Sequence, residues 1–172
     1  MPKMADPHIG LLSYQQAHLN GKIAPVPCQI YEHLTMLLDD AEGEQRLTYA
    51  LTENDTVKAI VVYVHSGYHN RIPCFQVGYA VAEPFRNQGI AKDVLEKSIE
   101  EMRWDLGRHG PFYIEAVVGV SNVASQKVAA MVISATHESI IDHTAGQPAL
   151  SYMHLIESQS DATGPQPGEK SR

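Results

Sequence analysis

Residues Arg86-Asn87-Gln88-Gly89-Ile90-Ala91 join a strand-like run, Cys74 to Ala82, to a helix-like run that ends near Leu106. Strand, tight turn and helix N-terminus in direct succession make an anion site. The first N–H groups of a helix have no partner within it, and the helix dipole adds partial positive charge there. Gly89 has no side chain to keep a phosphate from the backbone. The segment therefore predicts a phosphate-bearing ligand.

Residues 1–27 read as irregular, broken by Pro2, Pro7, Pro25 and Pro27, with a helical turn or two over Leu11–Leu19. Gln29–Asp40 reads as a helix because Ile30, Leu34, Leu37 and Leu38 recur on one face. Arg46–Leu51 and Val57–His65 read as an antiparallel pair across the turn Glu53-Asn54-Asp55. The nearly all-apolar run Ala59–Val64 predicts a central strand covered on both faces. Gly67–Pro73 reads as a polar loop.

Gln88–Leu106 is the clearest helix, with Ile90, Val94, Leu95, Ile99, Met102 and Leu106 on one stripe. Gly107 and Gly110-Pro111 stop it. Phe112–Val120 reads as a strand, and Ser121 or Asn122 caps a helix to about Ser134. Glu138–His143 and Ala149–Ile156 read as a closing hairpin. The order predicts one α+β (mixed α/β) domain over residues 1–157, with a mostly antiparallel central sheet. Residues 158–172 are polar and rich in Gly and Pro, and read as a disordered tail.

Composition narrows the function classes. The chain has 172 residues, 44% hydrophobic and 19% charged, as an ordinary soluble domain does. No apolar run approaches about 18 residues, so no membrane span is predicted, and Met1–Gly10 lacks a signal-peptide pattern. A net charge of -7 argues against nonspecific nucleic-acid binding and mildly favours a cationic substrate such as an amine. Cys28 and Cys74 form no CxxC motif, which fits a reduced, cytoplasmic protein. The 9 histidines are scattered without zinc spacing, so no metal is predicted.

A second segment bears on the same site: Ile114-Glu115-Ala116-Val117-Val118, followed by Asn122-Val123-Ala124-Ser125. The turn RNQGIA fits the (Gln/Arg)-x-x-Gly-x-(Gly/Ala) signature of the GNAT N-acetyltransferase superfamily. Glu-Ala followed by Asn-x-x-Ser resembles its ribosomal-protein N-terminal acetyltransferase-like branch. The resemblance spans roughly residues 45–156, and the N-terminal third carries no matching motif. It implies the GNAT fold, in which a splayed strand pair forms the CoA cleft. It also implies acetyl-CoA as co-substrate and direct acetyl transfer to a primary amine in a ternary complex. Homodimers are common in the superfamily.

The resemblance also implies roles for residues. The N–H groups of Gln88, Gly89, Ile90 and Ala91 would cradle the pyrophosphate, with Arg86 and Asn87 in the same turn. Val81 and Ala82 would pair with the pantetheine arm as an added strand does. Asn122 would bond the pantetheine or the acceptor region; as a helix N-cap it also has a structural use. Ser125 would protonate the leaving thiolate, or is a passive helix-face serine. Glu115 would accept a proton from the ammonium, or is a structural carboxylate. Tyr79, Glu83 and His65 are secondary candidates. Neither cysteine stands at a helix N-terminus suited to a nucleophile.

The sequence departs from the family pattern at two places. Ala129 stands where a Tyr or Glu often follows the asparagine, and Ile133-Ser134-Ala135 replaces the usual Gly-Phe. A CoA-binding sensor or interaction protein with little catalysis is therefore the alternative, and an unrelated phosphate-ligand protein a third. The acceptor stays open among small-molecule and protein amines. The segments expected to shape its pocket are Met1–Glu44 and Gly67–Pro73.

Overall fold

The computed structural model describes residues 6–142 and 144–158, and the tail expected over residues 158–172 lies outside them from residue 159 on. Helix α1, Pro7–Leu19, comes first, then strands β1 (Val26–Pro27), β2 (Leu34–Ala41), β3 (Glu44–Glu53), β4 (Thr56–His69) and β5 (Ile72–Val81). A single 3-10 turn, Glu83–Phe85, leads to helix α2, Ile90–Leu106. Strand β6 (Phe112–Gly119), helix α3 (Val123–Val132) and strands β7 (Glu138–Asp142) and β8 (Gln147–Ile156) complete the described chain. The 8 strands form one sheet in the order β1-β2-β3-β4-β5-β6-β8-β7. Among the described strands only β5 and β6 pair in parallel. This is the mixed, mostly antiparallel architecture that the sequence predicts. Among the described residues no helix is long and apolar enough to cross a membrane.

Helices cover both faces of the sheet. Ala59, Val61 and Tyr63 of β4 join Val94, Leu95 and Met102 of α2 in the larger core. Val57 and Ile60 face the other way and pack with Leu11 and Tyr14 of α1. The apolar run Ala59–Val64 is thus covered on both sides, as expected. On the α2 side the Tyr63 and Ser98 hydroxyls share a buried hydrogen bond of 2.8 Å.

Three expectations fail, each for a local reason. The predicted irregular N-terminus holds a helix of 13 residues, because Pro7 occupies its first turn and Asp6 caps it, accepting from the His8 N–H at 2.9 Å. The predicted helix Gln29–Asp40 is not formed. Its leucines belong to β2, where Leu34 and Met36 face the larger core and Leu37 faces α1. A short apolar run fits either period, and pairing with β3 decides it. Directly opposite residues lock the register, Arg46 donating to both Asp39 oxygens at 2.9 and 2.6 Å. The predicted loop Gly67–Pro73 is instead the continuation of β4 and β5 around Asn70-Arg71, both at positive φ (50° and 66°), as tight hairpins require.

The segment before β2 has a different task. Gln29, Ile30 and Tyr31 donate their N–H groups to the Glu101 carboxylate at 3.2, 2.7 and 2.7 Å. Glu101 is 1% exposed. A buried charge is tolerated only when so bonded. This latch pins the start of the sheet onto α2.

Candidate active site

The turn expected to bind an anion is built by two left-handed residues. Asn87 stands at φ 62° and Gly89 at φ 75°, ψ 10°. Alternating handedness turns successive N–H groups into one concavity. Gly89 is the N-cap of α2 and brings no side-chain cap, so the first-turn N–H groups face outward. A Cβ built on Gly89 would meet no atom within 4 Å. The glycine is there for its φ, and the space over it is open. Lys58 holds the preceding turn, its Nζ 5.1 Å over the Phe85 ring.

Beside this turn the sheet opens. β5 and β6 pair only at Cys74–Tyr113, Phe75–Ile114 and Gln76–Glu115. Beyond Gln76, β5 stays on β4 as far as Val81–Ala59, and β6 stays on β8 as far as Gly119–Ala149. The gap is part of a cleft of about 700 Å³ that runs from Val77 and Ala116 to the turn. The antiparallel ladder decides which groups face it. The Ala82 N–H goes to the Lys58 carbonyl at 2.8 Å, so even-numbered residues of this stretch bond toward β4. Val77, Tyr79 and Val81 then direct their N–H and C=O groups toward the gap.

Most of the sequence-predicted residues meet here. Val81, Arg86, Asn87, Gly89, Ile90, Ala91, Asn122 and Ser125 line the cleft. Ala82 does not, and its N–H is already spent on Lys58, so the pairing position expected of Ala82 passes to Tyr79. Gln88 is exposed and not part of the lining. Asn122 takes its structural use: its side chain caps α3, accepting from the Ser125 N–H at 3.2 Å. Tyr79 ties the same turn to β5, donating its hydroxyl to the Ser125 carbonyl at 2.8 Å. Burial pushes the Tyr79 hydroxyl up to about 12, so it keeps its proton at neutral pH.

Glu115 stands at the last paired position before the gap, yet it does not line the cleft. Its side chain lies on the α1 face of β6, where it accepts from the Ser151 hydroxyl at 2.8 Å. On that face a smaller cavity of about 160 Å³ is lined by Gln76, Gly78 and Val117, with Asp6 and Asp142. His65 and Glu83 line neither cavity. His65 packs edge-on against Tyr68 and Phe75, with ring centroids 5.2 and 5.5 Å away. Cys28 is outside both as well, and burial, then the charges of Glu101 and Asp105, push its thiol up to about 12.

The sequence reading missed Asp6, Pro7 and His8, which line the cleft from the start of α1. Asp-Pro before a helical run is a start signal that points to them. Residues 9–132 match the family model "Acetyltransferase (GNAT) domain", and the chain belongs to this family. Among curated proteins no sequence match was found.

Solved structures share the fold at low identity. A ribosomal-protein-S5-alanine acetyltransferase from Vibrio fischeri is 13% identical over 95% of this chain and 80% of its own, with TM-score 0.50. A point mutant of the spermidine N-acetyltransferase SpeG from Vibrio cholerae is 9% identical over 84% of this chain and 89% of its own, with TM-score 0.52. The chain spans less of others, such as 63% of RimL in complex with coenzyme A, at 18% identity over 66% of this chain and TM-score 0.49. It likewise spans 66% of a spermidine N-acetyltransferase chimera from Vibrio cholerae and hSSAT, at 9% identity over 64% of this chain and TM-score 0.49.

Proposed function

We propose that this chain is an N-acetyltransferase that uses acetyl-CoA and a primary amine as substrates in a ternary complex. The observation that carries the reading is the gap between β5 and β6, opening beside the anion turn of α2. Acetyl-CoA supplies the acetyl group as an activated thioester. The N–H groups at the start of α2 hold the pyrophosphate, and Arg86 adds charge. The gap-facing backbone of Tyr79 and Val81 pairs with the pantetheine amides, and an N–H there polarises the thioester carbonyl.

Residues on the two faces of the gap then divide the proton transfers. Glu115 takes the ammonium proton through water from the α1 face, so that the neutral amine attacks. As the new C–N bond forms and the C–S bond breaks, the attacking nitrogen gives up its second proton through water to the Ser125 oxygen while the Ser125 hydroxyl passes its own proton to the departing sulfur, so that the serine ends as it began. Asn122 and Tyr79 hold the Ser125 backbone in place from opposite sides. Alignment supplies much of the acceleration. Unpaired Cys28 and Cys74 accord with a cytoplasmic location.

One observation favours the alternative of CoA binding with little catalysis. Ala129 is 0% exposed in the larger core, so α3 offers no acid at that position. Calorimetric titration with CoA and acetyl-CoA tests the cleft. The proposal expects micromolar binding of both; no binding at high ligand concentration overturns it.

A further inference from the structure

Arg86 is an exposed arginine at the mouth of the cleft, and it is not free to wander. Its Nε donates to the Val81 carbonyl at 3.1 Å, and a terminal nitrogen lies 3.1 Å from Nδ1 of His8. A guanidinium has only donors, so Nδ1 of His8 is the acceptor of this bond. Two of the guanidinium N–H bonds are used this way, and the others are left for a ligand.

His8 is itself firmly placed. Its N–H donates to the Asp6 side chain at 2.9 Å in the first turn of α1. Further along α1, Gln15 accepts from the Val57 N–H at 2.6 Å and donates to the Asp55 carbonyl at 3.0 Å. Leu11 and Tyr14 are buried against the sheet. The helix is thus clamped to the sheet, and it carries the imidazole to a residue far away in sequence.

We propose that His8 is a positioning residue for the phosphate-binding arginine. It presets Arg86 across the mouth of the cleft, so that the side-chain entropy of an exposed arginine is lost before the ligand arrives. This rests on the acetyl-CoA reading above. It extends that site to an N-terminal helix in which no phosphate-binding motif is visible.

The test is a cycle of CoA affinities measured by calorimetry on the full chain, with melting curves to confirm folding. His8→Ala weakens CoA roughly three- to tenfold, the order of one ordinary exposed hydrogen bond. His8→Asn, whose Oδ1 replaces Nδ1 as acceptor, restores affinity to within about twofold of the original. In an Arg86→Ala background, His8→Ala has no further effect, because the residue it positions is gone. Equal losses in both backgrounds would show His8 touching the ligand itself and overturn the proposal. So would an Asn variant no better than Ala, an unaffected His8→Ala variant, or an Arg86→Ala variant of full affinity. Failure of the unmodified protein to bind CoA would instead bring down the acetyl-CoA reading, and this inference with it.

Discussion

Gly89 offers a substitution in which electrostatics separates from folding. At φ 75° an ordinary L-residue is strained, but Asp and Asn visit this region readily. The added side chain meets no protein atom within 4 Å of its Cβ. Gly89→Asp and Gly89→Asn should therefore cost about 1 kcal/mol or less each in stability, a shift of roughly 2–4 °C in Tm. Both can cap the helix and so compete equally for its first N–H groups. They differ by one charge. A carboxylate about 4 Å from a phosphate oxygen is repelled by about 1–4 kcal/mol, depending on the local dielectric. Taking about 2 kcal/mol, Gly89→Asp binds CoA roughly thirtyfold more weakly than Gly89→Asn. Calorimetry at low salt and at about 1 M salt measures this, and the gap between the variants should narrow as screening sets in. Equal affinities for Asp and Asn, or a gap that ignores salt, would refute the placement of the pyrophosphate over Gly89.

Tyr79→Phe removes the bond to the Ser125 carbonyl and should lower kcat about tenfold with CoA affinity within about twofold of the original; steady-state kinetics beside calorimetry would show it. Glu101→Ala strands the N–H groups of Gln29, Ile30 and Tyr31 and should cost about 2–4 kcal/mol, roughly 5–12 °C in thermal melts; an unchanged Tm would mean the latch is not stabilising. Tyr79 and Cys28 are both raised to about 12 in the folded chain, from ordinary values of 10.0 and 9.0. Groups raised on folding stabilise fully below their unfolded values. Stability should therefore hold to about pH 9 and fall progressively toward pH 12, readable in melts across that range.

The legible parts of this chain are those whose pattern is enforced locally. The stripe of α2 needs only helical spacing to be seen, and Val94, Leu95 and Met102 are buried as it predicts. The left-handed turn needs Gly89, and the sequence supplies it. Illegible were elements whose identity depends on a distant partner. Leu34, Leu37 and Leu38 fit a helix until β3 is there to pair with them. Glu101 looks like one more charged helix residue until the backbone of Gln29–Tyr31 closes over it. Ala82 and Val81 are adjacent, and only the ladder to β4 shows which of them faces the gap. The Asp-Pro start signal reaches as far as His8, but its contact with Arg86 is illegible because the two residues lie far apart in sequence.

The central claim is acetyl transfer to an amine, and it is tested most directly by supplying acetyl-CoA with a panel of amines. The panel holds polyamines, amino acids, aminoglycosides and peptide N-termini, with free thiol and product mass followed together. The expected result is an amine whose acetylated product appears in step with free CoA, and no such product without the protein. CoA that binds in the cleft but is never turned over with any amine would contradict it.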